Sequence, residues 1–324
     1  MTNATPLRRA SGTERYDKMN LFDEIKAERK EPVNIIHGTD WWTDCDDIAA
    51  LRLLLRAHKA GLIRLLGIGI NSVMEYSAPS VSAFCEYDGL RIPIGVDKSA
   101  LRDGGNCRYQ KLLAEYPHTI RSNEDCPDAW RLYRKLLAEL DGKADITDVG
   151  FPQIIMQLLQ SGPDELSPLS GTELVKEKVN RVWLMAGRWD MPNGKEYNLS
   201  AYPVCSEAGD YLCRNCPVPI TFVGFEVGLD VITGGNAAED DPLRRAFIAH
   251  GSADGRCSWD PLTVLTAILQ DEAKAGYGVV RGYARVDPVT GENNFTADES
   301  GPHRFVTQQH SGQWYADRIN ALLS

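Results

Sequence analysis

Short apolar runs rich in β-branched residues alternate with longer amphipathic stretches along most of this chain. Residues 33–36, 65–70, 92–96, 144–149, 179–185 and 219–225 have the length and composition of buried strands. Helical patterns fall between and after them, from Ile48 onward and then over residues 79–87, 129–140, 152–160, 206–214 and 260–270. Pro261 opens the last of these from a favoured first-turn position, which leaves Asp260 near its N-cap. Nearer the C-terminus, Asp287-Pro288 and Thr290-Gly291 mark turns between short strand-like runs, the pattern of a β-hairpin, with a helix after it. The alternation predicts an α/β fold: a single Rossmann-like, open, mostly parallel sheet with helices on both faces. One domain is expected over residues 31–324, preceded over residues 1–30 by a flexible lead with one exposed helix around 16–28.

Charge and composition narrow the function. A net charge of −10 argues against a nucleic-acid polymer as partner, because neutralising phosphates takes a basic surface. No apolar run approaches the ~20 residues that span a bilayer. The polar N-terminus has no signal-peptide core, so a cytoplasmic protein without a membrane partner is expected. Eight scattered cysteines then read as free thiols of a reducing compartment. Cys213 and Cys216 form a lone C-x-x-C, better explained by helix-end packing than by zinc.

The candidate chemistry is concentrated in residues 38–47, Gly-Thr-Asp-Trp-Trp-Thr-Asp-Cys-Asp-Asp, between the first strand and the first buried helix. In open α/β sheets this is where ligands bind, beyond the carboxyl ends of the strands. One Asp at such a place is an ordinary helix cap. Asp40, Asp44, Asp46 and Asp47 together repel one another unless something positive sits among them, and a hard divalent cation, Ca²⁺ or Mg²⁺, answers that need.

These residues resemble the inosine–uridine-preferring nucleoside hydrolase family, whose longer form of the loop reads Asp-Thr-Asp-x-Gly-Thr-Asp-x-Asp-Asp. Further matches follow in the family's order: Val182-Trp183-Leu184-Met185-Ala186-Gly187, Glu196-Tyr197-Asn198, residues 220–227, and Ser258-Trp259-Asp260-Pro261. The resemblance spans roughly residues 33–270. It implies a fold of the nucleoside hydrolase type and Ca²⁺-dependent hydrolysis of the N-glycosidic bond of small-molecule ribonucleosides, by a homodimer or homotetramer. By the same resemblance, Asp40 is the catalytic base and a metal ligand. Asp47, Asp260 and the main-chain carbonyl of Gln153 complete the metal set. Asp46, Glu196 and Asn198 would grip the ribose, with Asn71 a further sugar contact.

Two positions depart from the family. Gly38 stands where its first Asp would be, and Trp259 where many members carry a His that protonates the leaving base. His37 is the one histidine bordering the acidic loop. Trp41, Trp42, Trp189 and Trp259 lie in or beside the site loops, and since purines stack well on indole, purine nucleosides are slightly favoured, with Trp259 as a substrate contact. Two other readings stand beside the hydrolase. One is a weak or inactive member with a sugar- or metal-binding role. The other is a Mg²⁺ phosphohydrolase with Asp40 as nucleophile, which Trp42 disfavours by breaking the Asp-x-Asp it would need.

Overall fold

Ile35 and Ile36 have no exposed surface, because the strand that holds them has parallel neighbours on both sides and covered faces. The computed structural model describes residues 21–42, 44–100 and 107–324. Its first half runs α1 (Leu21–Glu28), β1 (Val33–Thr39), α2 (Asp46–Lys59), β2 (Ile63–Ile70), α3 (Ser77–Tyr87), β3 (Ile94–Val96), α4 (Ala129–Glu139) and β4 (Ala144–Asp148). Then follow α5 (Gln153–Gln160), α6 (Gly171–Lys178), β5 (Val179–Met185), α7 (Pro203–Asn215), β6 (Ile220–Val223), α8 (Pro242–His250) and α9 (Trp259–Leu269). The chain closes with β7 (Tyr277–Val286), β8 (Asn293–Ala297), β9 (His303–Gln308) and α10 (Gly312–Leu323).

These strands form one nine-stranded sheet in the order β8-β7-β9-β6-β5-β4-β1-β2-β3. The stretch from β3 to β9 is parallel, and the β7–β8 hairpin adds two antiparallel strands at one edge. One apolar core, drawn from α2, α3, α8, α9 and α10, covers one face; α4, α5, α6 and α7 build a second core on the other. The strand order reverses between β1 and β4. The loops leaving those two strands diverge there, and the gap between them is the natural ligand crevice of an open α/β sheet.

The pattern in the sequence omits α6 and α8, and two further features differ from it. The N-terminal helix is exposed on one side only: Phe22 and Ile25, spaced i,i+3, are buried in the first core, and Arg29 just beyond donates to the carbonyls of Leu62 and Ile268. Residues 1–20 of the expected lead lie outside the described residues. The sequence pattern also does not disclose β9, which inserts between β6 and the hairpin although only His303 and Val306 of its six residues are buried. No helix among the described residues is long and apolar enough to cross a membrane.

Candidate active site

Beyond Thr39 the chain bends sharply. Trp41 has a φ of 52°, a left-handed conformation disfavoured for a bulky side chain, and its surroundings hold it there. Its ring is fully buried, edge-on to Phe84 and Tyr109. The indole N–H donates to Ser80 Oγ at 2.9 Å, and Gln110 Nε2 donates to the Trp41 carbonyl at 2.7 Å. With Trp41 anchored in the core, Asp40 and Trp42 on either side of it line a cavity of about 550 Å³ at the β1–β4 crevice. Trp189 is likewise a packing residue, set against Phe222, Phe295 and Phe305. Of the four tryptophans near the site loops, Trp42 and Trp259 line the cavity.

The acidic residues separate into two groups. Asp44 is neutralised by the protein itself: Arg256 Nε donates to both its oxygens at 2.8 Å and Nη2 to Oδ2 at 2.7 Å. Asp46, Asp47 and Asp260 are buried against one another, with one carboxylate oxygen from each lying within 4.8 Å of the others. Burial first, then repulsion from neighbouring carboxylates, pushes all three well above the ordinary range, and the charge of Asp40 adds to this at Asp47 and Asp260. Local donors fix the trio. Asp47 Oδ1 accepts from Thr39 Oγ1 and from the Trp41 N–H, while Asp46 Oδ2 accepts from the Asp260 N–H at 3.1 Å.

This donor set fits a hard cation. Carboxylate oxygens up to 4.8 Å apart can share one Ca²⁺ at ~2.3–2.6 Å from each, and an all-oxygen set suits Ca²⁺ or Mg²⁺ rather than zinc or copper. Asp46, assigned to the ribose by the resemblance, is by position the third member of this trio. Asp44, Cys45 and His250 form a second group of similar size, but Asp44 is committed to Arg256 and burial pushes the Cys45 thiol up, away from the thiolate a metal needs.

Glu196 and Asn198 reach the cavity from the loop after β5. Glu196 accepts the N–H of Asn198 at 2.8 Å and of Gly187 at 3.0 Å, and burial raises its carboxyl to about 7. Asn198 Nδ2 donates to the carbonyls of Val149 and Met185, each at 3.0 Å, and so ties the ends of β4 and β5 together. Asn71 and Gln153 stand behind this wall rather than in it. The Gln153 side chain donates to the Asn71 carbonyl at 2.6 Å, and the Asn71 side chain is engaged by Asp148 and Phe151.

The cavity is also lined by residues to which the sequence pattern assigns no role: Lys195, Tyr197, Phe225 and Arg256. Trp259 stacks on Phe225 at 5.4 Å between ring centroids, its N–H donates to the Phe225 carbonyl at 2.7 Å, and the Arg256 guanidinium lies 5.9 Å from its ring. One signal for Arg256 was available, since it is a basic residue three positions before Trp259 in a chain with a surplus acidic loop to neutralise. His37 does not line the cavity. It is fully buried beside Thr147 Oγ1 at 2.9 Å, and burial lowers it to about 3, so it is a neutral structural residue.

Compared by sequence, the chain matches no family model and no curated protein. Its structure has clear counterparts. An inosine–guanosine nucleoside hydrolase superposes with a TM-score of 0.65 over 90% of this chain and 98% of its own, at 15% identity. An inosine–uridine preferring nucleoside hydrolase from Bacillus anthracis gives 0.65 over 90% and 99%, at 14% identity. This chain has the nucleoside hydrolase fold. The type III effector protein XopQ, solved in complex with adenosine diphosphate ribose, is also similar, with a TM-score of 0.64 over 93% of this chain and 96% of its own at 13% identity. In the nucleoside hydrolase fold adopted here, residues from three distant parts of the sequence, Asp40, Asp46 and Asp47, then Glu196 and Asn198, then Trp259 and Asp260, meet on one cavity.

Proposed function

We propose that this chain is a Ca²⁺-dependent nucleoside hydrolase that cleaves the N-glycosidic bond of ribonucleosides to free base and ribose, with purines slightly favoured. One observation carries the reading: Asp40, Asp46, Asp47, Asp260, Glu196 and Asn198 converge on one cavity at the strand-order reversal of this fold. Asp46, Asp47 and Asp260 would hold the metal beside Asp40. When bound, Ca²⁺ supplies water activation and a fixed point for the sugar hydroxyls.

Asp40 takes the proton of the attacking water as the glycosidic bond opens. Positive charge then develops on the sugar ring above a floor of carboxylates, an arrangement that stabilises the transition state more than the neutral substrate. Glu196 has lone pairs left after its two main-chain bonds and Asn198 is held rigidly by two carbonyls, so both orient the ribose with little freedom to lose. The base leaves against Phe225, Trp259 and Arg256. An indole supplies no acidic proton near neutral pH, so this wall shields and stacks the base while the guanidinium offers it hydrogen bonds. The free thiols of all eight cysteines accord with a cytoplasmic setting.

The test is to incubate the purified protein with inosine, guanosine, adenosine, uridine and cytidine and to measure free ribose with and without chelator. Calcium-dependent release supports the hydrolase. The second reading, a weak or inactive sugar-binding member, is favoured by Trp259 and by the likeness to XopQ, and it gains if no nucleoside is cleaved while ligand binding is measurable. For the purine preference, Trp259→Ala should reduce purine kcat/KM more than pyrimidine kcat/KM, with Trp259→Phe close to wild type. An unchanged purine-to-pyrimidine ratio makes Trp259 a packing residue only, since loss of folded enzyme cannot alter that ratio.

A further inference from the structure

Gly38 and Asp148 are direct neighbours across the β1–β4 pair, and the Val149 N–H donates to the Gly38 carbonyl at 3.0 Å. A Cβ placed on Gly38 would lie 2.6 Å from Asp148 Cγ and Oδ2 and 2.8 Å from Oδ1, so the Asp148 carboxylate fills the space a side chain at 38 would take. Position 38 is where the family resemblance expects a carboxylate. Here one is present at the same place in space, brought from the adjacent strand.

The connections of Asp148 lead to the site. It has no exposed surface, and its Oδ1 accepts from Asn71 Nδ2 at 3.0 Å and from the Gly150 N–H at 3.1 Å. Asn71 in turn accepts from the Phe151 N–H and the Gln153 side chain, and its own N–H donates to the Thr39 carbonyl at 2.9 Å. Gly150 packs so closely that a Cβ there would lie 2.4 Å from the Asp40 nitrogen. Asp148 Oδ2 is buried without a hydrogen-bond partner, so the carboxylate is held in place through its other oxygen alone.

We propose that Asp148 is a positioning residue that replaces, from β4, the carboxylate missing at position 38, and holds the 149–153 turn in register with Asp40. The inference rests on the proposed metal-dependent reading for its consequence, and on the geometry above for its cause. Outer partners of metal ligands of this kind are worth roughly 10–100-fold in metal affinity.

The experiment compares wild type, Asp148→Ala, Asp148→Asn and the exchange variant Gly38→Asp/Asp148→Gly as purified full chains. Ca²⁺ affinity is measured by calorimetry on metal-free protein, and amide hydrogen exchange is followed over residues 149–153. Asp148→Ala should weaken Ca²⁺ binding by about tenfold or more and unprotect the turn, while the exchange variant recovers most of both losses. Wild-type affinity and protection in Asp148→Ala would overturn the assignment, as would a folded exchange variant no better than Asp148→Ala. If Asp148→Ala does not fold, Asp148→Asn, which keeps the Oδ1 acceptor but not the charge, takes its place in the comparison with the exchange variant. If wild type itself takes up no Ca²⁺, the proposed function fails, and turn protection alone decides the role of Asp148.

Discussion

Replacing Asp40 with Asn lowers kcat/KM by about three orders of magnitude or more, in line with the 10²–10⁴ that a positioned base contributes, with further loss from the local charge removed. A thousandfold corresponds to roughly 4 kcal/mol of barrier. The fold should survive the change. Asp40 Oδ1 accepts the Trp42 N–H at 3.2 Å, an amide oxygen can still do so, and the bend of the loop depends on the buried Trp41 rather than on the charge of its neighbour. Steady-state kinetics on inosine, beside a circular dichroism melt of the same preparation, separates lost chemistry from lost structure. Activity within about tenfold of wild type, under 1.4 kcal/mol, removes Asp40 from the role of base.

Stripping the metal should abolish turnover and also reverse the way stability depends on pH. In the metal-free protein, burial raises Glu196 to about 7, and burial with mutual repulsion raises Asp46, Asp47 and Asp260. The folded state therefore keeps protons that the unfolded chain releases above about pH 4. Where the native state binds more protons, unfolding free energy falls as pH rises, so the metal-free protein loses stability between about pH 4 and 7. Calcium acts in the opposite sense, since it binds the deprotonated carboxylates, and at a hundred times its Kd it adds about 2.7 kcal/mol. Melting temperatures from pH 5 to 8, with chelator and with excess Ca²⁺, should therefore diverge as pH rises. Parallel curves would show that this carboxylate cluster takes up no cation.

Much of the site was legible before the fold was known because it is written in consecutive residues. The spacing of Asp40, Asp46 and Asp47 between an apolar strand and an apolar helix places them at a strand's carboxyl end whatever the rest of the chain does. Pro261 marks the first turn of a helix, which begins at Trp259, and Asp260 lies with it at the helix N-terminus. The parallel sheet follows from the same local alternation, since the apolar runs that become β1 to β6 are read without their partners.

Other features depend on which strands and loops become neighbours, and no local pattern carries that. Asp44 looked like one more ligand in the loop, but Arg256, 212 residues away, claims it. Trp41 and Trp42 are adjacent and alike in sequence, yet one positive φ sends the first into the core and leaves the second at the cavity. Asn71 ends a strand, as expected of a sugar contact, but the 148–153 turn takes up its side chain. Gly38 reads as a loss along the chain. The strand order places β4 beside β1, and the carboxylate of Asp148 fills the gap. A sequence determines which residue types stand at each strand end, whereas the order of the strands decides which of those ends meet.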